Sequence, residues 1–320
     1  MGLEDAKTEV DRALGPQDRG PAFENAFGGV TSFLRRRYGK DVRGADLAIL
    51  GVPFDQAVTH RPGARFGPRA IREASTLQPY DPPYGWPFDP LSELTVVDAG
   101  DVAFDYARPA DFPATLTARV AEILAQDMGT VVLGGDHSIT LPILRAYADT
   151  HGPISVVQFD AHSDLWRDDD MDRIDHGTFL YKAVKQGLVD PDRSVQIGIR
   201  TVTPDRLGMP MIDARAVHED GPNAVAEEVR RIVGAAPVYL TFDIDALDPA
   251  FAPGTGTPVW GGLHSWQAAA ILRGLAGLRV VGGDVVEVSP PYDTTGATAI
   301  AGAHVATEIL CLYAWYRLGR

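Results

Sequence analysis

The sequence predicts a single-domain α/β protein, a three-layer αβα sandwich around a mainly parallel, eight-stranded, doubly wound sheet. Three observations predict it. Eight short apolar runs, most of them rich in Val and Ile, lack polar alternation, which suits strands buried on both faces. Patterns with helical spacing separate these runs, and strand–helix alternation through a chain builds a parallel sheet with helices packed on it. The 320 residues contain no repeat, low-complexity tract or interdomain linker, and 45% of them are hydrophobic, enough for a core.

Taken in order, residues 1–44 are polar and rich in Gly and Arg. They are expected to form an N-terminal arm, packed on the domain or used in contacts between copies, with the domain itself over 45–320. The first strand is expected at 47–52. The Pro/Gly-rich stretch 78–90 reads as a surface loop rather than a boundary. Further strands are expected at 94–97, 130–133, 154–159, 194–199, 210–212, 238–242 and 279–288. A helix is predicted over 115–128, where Leu116, Val120, Ile123, Leu124 and Met128 fall near one face. A shorter one over 180–185 runs into Gly187. Ser265 is a good N-cap for a helix over 266–275, with Gly277 as its stop. The stretch 297–316 resembles a membrane span in length, but it carries His304 and Glu308 and is rich in Ala and Gly. A buried core or interface helix is expected there.

Composition narrows the function classes. The net charge of −14 gives a surface that repels phosphate backbones, so nucleic acid is not an expected partner. The one cysteine, Cys311, allows no intrachain disulfide and no cysteine-rich metal site, and it is expected to pack in the core. The first residues, MGLEDAKTEV, are charged and lack the apolar segment of a secretory leader. A cytoplasmic protein without a membrane partner is expected.

Chemistry concentrates where three strand candidates end. Residues 130–133 run into Gly134-Gly135-Asp136-His137-Ser138, 154–159 into Asp160-Ala161-His162-Ser163-Asp164, and 238–242 into Asp243-Ile244-Asp245. Ligands of open α/β sheets bind beyond the carboxyl ends of the strands, so these three ends aim at one crevice. In extended chain, residues i, i+2 and i+4 point one way, which would present Asp160, His162 and Asp164 together, and Asp243 with Asp245. Four gathered carboxylates repel one another unless cations sit among them. Carboxylate with imidazole suits a manganese-type ion better than calcium or a thiolate zinc site. Two such ions about 3.5–4 Å apart activate a shared water. Singly, each piece has a plainer reading: His137 as an incidental histidine at a strand end, an Asp-x-Asp as a helix cap. Three at separate strand ends favour metal.

These motifs, GGDHS, DAHSD and DIDALDPAFAPGTGTP, closely resemble those of the ureohydrolases, the arginase and agmatinase family. The resemblance extends through GVPFD (51–55), RPGARFGPRAIR (61–72), DHGTFLYKA (175–183), SVQIGIRT (194–201) and DVVEVSPPYD (284–293), covers roughly 47–315, and is strongest toward agmatinases. It implies an arginase-like fold and two Mn²⁺ per subunit. It also implies ligand roles: Asp160 and Asp243 bridge the ions, His137 and Asp164 complete one, and His162 and Asp245 the other. A metal-bridging hydroxide would attack the guanidinium carbon. His176, Glu287 and the ligand Asp164 are the expected catalytic groups, His176 shuttling protons and Glu287 gripping the guanidinium. The residues agree with two of these roles. A carboxylate in the apolar run VVEV needs a partner, and a guanidinium meets a carboxylate with two parallel N–H bonds. An imidazole near its ordinary pKa can deliver the proton that an amine leaving group requires. His60 is a further pocket candidate, while Asp136 and Asp284 are expected to support the metal-bound histidines.

The family's arginases hold an α-carboxylate with a polar loop after Asp-x-His-x-Asp. Here that loop, 165–173, has four Asp against two Arg, which favours a substrate with a cationic or uncharged tail. The expected activity is therefore hydrolysis of agmatine to putrescine and urea. The alternative is a guanidino acid such as 4-guanidinobutyrate, its carboxylate held by Arg167 or Arg173. A non-catalytic metal-binding scaffold is the reading from another class, and the complete ligand set argues against it. The resemblance also implies a homo-oligomer, a trimer or hexamer.

Overall fold

The computed structural model describes residues 27–78, 82–203 and 205–320. Among them lie strands β1 (Arg37–Tyr38), β2 (Leu47–Gly51), β3 (Val96–Asp101), β4 (Gly129–Leu133), β5 (Ser155–Phe159), β6 (Val195–Ile199), β7 (Met211–Asp213), β8 (Pro237–Asp243) and β9 (Arg279–Val286). The helices are α1 (Gly67–Ser75), α2 (Pro90–Glu93), α3 (Phe112–Leu124), α4 (Thr140–His151), α5 (Phe179–Lys185), α6 (Ala214–Asp220), α7 (Pro222–Val233), α8 (Ser265–Gly274) and α9 (Ala297–Arg317). The strands form one sheet in the order β1-β3-β2-β4-β9-β8-β5-β6-β7, and every pairing is parallel.

Alternation along the buried strands explains why they read as unbroken apolar runs. In β2, Leu47 and Ile49 enter one apolar layer while Ala48 and Leu50 enter the other. In β8, Val238, Leu240 and Phe242 enter the first layer and Tyr239 the second. The first layer joins the sheet to residues of α1, α7, α8 and α9, such as Ile71, Val229, Leu272 and Ile309. The second joins it to residues of α3, α4 and α5, such as Val120, Leu144 and Leu180. A side chain is therefore buried whichever way it points.

The expected single-domain αβα architecture is observed, with nine strands in place of eight. The extra strand, β1, is two residues long and polar, and it pairs only with β3, so no apolar run marks it. It falls within the stretch expected to be an arm; residues 1–26 of that stretch lie outside the described residues. The helix expected at 115–128 starts three residues earlier, at Phe112. The helix expected after Ser265 is capped instead from His264, whose N–H donates to Gln267 Oε1 at 3.0 Å. α9 is long and apolar enough to cross a membrane, yet most of it is buried in the domain, and Cys311 within it is fully covered.

Candidate active site

Four neighbouring strands at the middle of the sheet, β4, β9, β8 and β5, deliver the predicted residues to one crevice. Beyond β4 the chain turns through His137–Ile139. Asp136 caps that turn, accepting Ser138 N–H at 3.0 Å and Ala57 N–H at 2.9 Å. Gly135 lets this turn pass against Phe54, where a Cβ would overlap the Phe54 carbonyl. Beyond β9, Glu287 N–H donates to Gly135 O at 2.8 Å, which sets Glu287 beside the His137 turn.

Two donor clusters meet at Asp160. His137, Asp160 and Asp164 form one; Asp160, His162 and Asp245 form the other. His137 Nδ1 lies 3.1 Å from Asp160 Oδ2, 3.0 Å from Asp164 Oδ2 and 3.2 Å from Asp243 Oδ2. His162 Nδ1 lies 3.0 Å from Asp245 Oδ2 and 3.5 Å from Asp160 Oδ1. The convergence is not that of an extended strand, as the i, i+2 spacing suggested. The chain leaves β5 at Phe159, and Asp164 adopts φ +51°, a left-handed conformation that folds it back toward His137. Asp245 sits in a tight turn, Ile244–Ala246.

The hydrogen bonds fix which nitrogen of His137 is bare. Tyr239, Thr140 and Thr241 direct their hydroxyls to the buried Asp284 carboxylate, Thr241 at 2.6 Å. With its proton given to Asp284, the Thr241 oxygen accepts from His137 Nε2 at 2.8 Å. In the neutral imidazole Nδ1 is then a lone pair, buried among three carboxylate oxygens; without a cation, burial opposes the charged form, but Asp160, Asp164 and Asp243 outweigh it and hold the His137 pKa well above its ordinary value. Lone pair and carboxylates repel one another unless a cation or a proton stands between them. A cation with bonds of about 2.1 Å at right angles holds neighbouring donors about 3 Å apart, so this donor set fits one. Without a cation, protons take its place. For His162, burial opposes the charged form, but Asp245 and Asp160 outweigh it and push the pKa up to about 12. Burial and the charge of Asp160 raise Asp164 to about 6, despite His137 and His176. Burial and the charges of Asp245 and Asp160 raise Asp243 well above its ordinary range.

Glu287 and His176 form a second pair over the same crevice. Glu287 holds φ +62°, a costly conformation for a residue with a Cβ. Its Oε1 lies 3.0 Å from the donating His137 N–H and 2.9 Å from His176 Nδ1. Its Oε2 is buried and has no hydrogen-bond partner among the described residues. His176 stands at the head of a turn capped by Asp175, and its Nε2 accepts Thr59 N–H at 3.2 Å and meets Thr59 Oγ1 at 3.0 Å. In the neutral ring Nδ1 therefore carries the proton and donates to Glu287. Burial works to lower the His176 pKa, but Glu287, Asp164 and Asp136 outweigh it and raise it to about 9.

A cavity of about 370 Å³ opens over His162, Asp164, Asp243 and His176, walled by Thr59, Trp166, Asp168 and Thr257. The acidic loop expected to bias the tail site is partly neutralised by pairing. Arg167 meets Asp169 at 2.7 Å, Arg173 meets Asp175 at 3.0 Å, and the buried Lys182 ammonium lies 2.8 Å from Asp168. Part of its negative charge is thus cancelled, and neither arginine is a free cation. His60 is exposed and does not line the cavity; Thr59 does. Asp284 reaches a histidine, through Thr241, whereas Asp136 serves as a cap. Sequence reasoning missed Thr59, Thr241 and Thr257, the last 3.3 Å from Asp245 Oδ2. Of these only Thr241 carried a signal, a small polar side chain in the buried run VYLTFD.

Fold and donor set together define an α/β enzyme with a metal-type carboxylate–imidazole centre at the carboxyl ends of its strands. The chain belongs to the arginase family, whose model matches residues 45–312. A relative called agmatinase, from Chromobacterium violaceum, is 49% identical over 92% of this chain and 91% of its own length. Among solved structures, a hypothetical agmatinase from Burkholderia thailandensis is similar with a TM-score of 0.93 and 51% identity, covering 97% of this chain and 99% of that one. Proclavaminate amidino hydrolase from Streptomyces clavuligerus is similar with a TM-score of 0.86 and 38% identity, over 92% and 100%.

Proposed function

We propose that the chain hydrolyses agmatine to putrescine and urea. One observation carries the hydrolytic reading: the buried, unpartnered Oε2 of Glu287 stands beside a donor set that fits cations. The agmatinase names of relatives near half identity support agmatine as the substrate. His137, Asp160, Asp164 and Asp243 would hold one Mn²⁺, and His162, Asp160, Asp243 and Asp245 the second. When bound, such a pair supplies an activated water at neutral pH. Glu287 accepts the guanidinium N–H donors through Oε2, while Oε1 stays fixed by His137 N–H and His176. His176 keeps its first proton on Nδ1, held by Glu287. A second, at Nε2 beside the Thr59 hydroxyl, is the proton available to the leaving amine. Residues 1–44 as an arm, 45–320 as the catalytic domain, a cytoplasmic location and a homo-oligomer complete the proposal.

Urea release from agmatine, arginine and 4-guanidinobutyrate, each with a chelated control, tests it. Chelator-sensitive turnover of agmatine alone is expected. Turnover of 4-guanidinobutyrate instead would keep the site and overturn the substrate. No urea from any of the three, with ions verified bound, would overturn the hydrolytic reading for these guanidines.

A further inference from the structure

Arg200 has no role in the chemistry proposed above, yet it is tied to both chain segments that carry the second donor cluster. It follows β6, the strand beside β5. Its main-chain N–H donates to Ala161 O at 3.0 Å, and the neighbouring Thr201 hydroxyl donates to the same oxygen at 3.0 Å. Ala161 lies between Asp160 and His162, and its own N–H donates to Asp245 Oδ1 at 3.0 Å. The Arg200 guanidinium crosses to the other segment. Nη2 donates to Asp245 O at 2.6 Å, Val259 O at 2.8 Å and Leu247 O at 3.3 Å. Nη1 donates to Ala246 O at 3.2 Å and Gly198 O at 3.1 Å, and Nε to Val259 O at 3.2 Å. A planar cation with five forked N–H donors thus collects carbonyls from β6, from the three consecutive residues Asp245, Ala246 and Leu247, and from the loop beyond.

We infer that Arg200 is a positioning residue that clamps Asp245 against Asp160 and His162 and so sets the affinity for the second cation. The inference rests on the reading that the two clusters hold ions. Arg200 touches neither cluster's donor oxygens nor the His137 side; it acts through the backbone of Asp245 and Ala161. Groups that orient metal ligands in this way change affinity 10–100-fold when removed.

The test is Mn²⁺ binding by the full chain, wild type against Arg200→Ala and Arg200→Lys, read as bound metal at defined free Mn²⁺. The expected result is two ions in the wild type. Arg200→Ala should keep one tight ion and bind the other 10–100-fold more weakly. Arg200→Lys, with its charge kept but its fork lost, should fall between them. Equal weakening of both ions, or of neither, overturns the inference. A wild type that binds no ion would instead overturn the reading of the clusters. For a variant too unstable for dialysis, the rise in Tm on adding saturating Mn²⁺ replaces the titration. A rise smaller than that of the wild type supports the clamp, and an equal rise refutes it.

Discussion

Replacing Thr241 with Val separates metal ligation from mere packing at His137. The methyl keeps the shape of the side chain and removes one hydroxyl, which accepts His137 Nε2–H at 2.8 Å and donates to Asp284 at 2.6 Å. Asp284 retains the Tyr239 and Thr140 hydroxyls, so its loss is one bond to a charged acceptor. His137 Nε2–H is left buried with nothing to donate to, at about 1–3 kcal/mol, and the lost bond adds a similar amount. A fall in stability of about 2–6 kcal/mol is expected from urea melts of the metal-free chain. The second consequence is specific to ligation. Freed from Thr241, the imidazole loses the acceptor that aims Nδ1 at Asp160, Asp164 and Asp243, all within 3.2 Å. A cation then meets a nitrogen that is no longer held in place. Mn²⁺ at the His137 cluster should bind 10–100-fold more weakly, about 1.4–2.7 kcal/mol, by titration calorimetry. A variant that loses stability but binds both ions as the wild type does would refute the argument. His137 would then be a donor to carboxylates, and no ligand.

Other outcomes follow from the same geometry. Glu287→Gln keeps an oxygen for His137 N–H and removes the charge at Oε2; kcat/KM for the guanidino substrate should fall about 10–100-fold, as for loss of a charge-assisted bond, with metal content unchanged. Metal uptake should release protons. The metal-free His162, pushed up to about 12, is charged at neutral pH and must deprotonate to bind, so affinity rises with pH; calorimetry in buffers of different ionisation heat would read zero release if this is wrong. Gly135→Ala should destabilise the chain by about 2 kcal/mol or more, because backbone and not a flexible side chain occupies the space of the new Cβ; an unchanged denaturation midpoint would contradict the close approach of Phe54.

The fold was legible because parallel strands buried on both faces leave an unambiguous mark. Val238 through Phe242 read as one apolar run, and alternate residues of that run do enter opposite layers. β1 left no mark, since two polar residues at a sheet edge make no apolar run. The donor atoms were legible for a different reason: Asp160, His162, Asp164, Asp243 and Asp245 are crowded into two short segments where the chain leaves the sheet. Their exact convergence was not. It depends on the positive φ of Asp164 and on the turn around Asp245, which the i, i+2 rule does not describe. The pairing within the loop over 165–173 was hidden for a related reason. A count of Asp and Arg is blind to Lys182, which lies on α5 and reaches back to Asp168.

What surrounds the donors differs between the two clusters, and this gives the centre a testable asymmetry. The His137 side is held from inside the sheet, by a chain of hydroxyls on β8 and α4 that ends on the buried Asp284 of β9. The His162 side is held from the loops, by the Arg200 guanidinium gathering carbonyls around Asp245. A sheet interior resists displacement more than loop backbone does, because its polar groups are already paired and its side chains packed on both faces. The His137 cluster should therefore keep its geometry when the ions are removed, and the Asp245 turn should loosen. Amide exchange gives the comparison directly: on chelation, protection should fall at residues 245–247 and 259–262 and persist at 238–242. Equal loss in both segments would mean that the ions, and not these two supports, organise the centre.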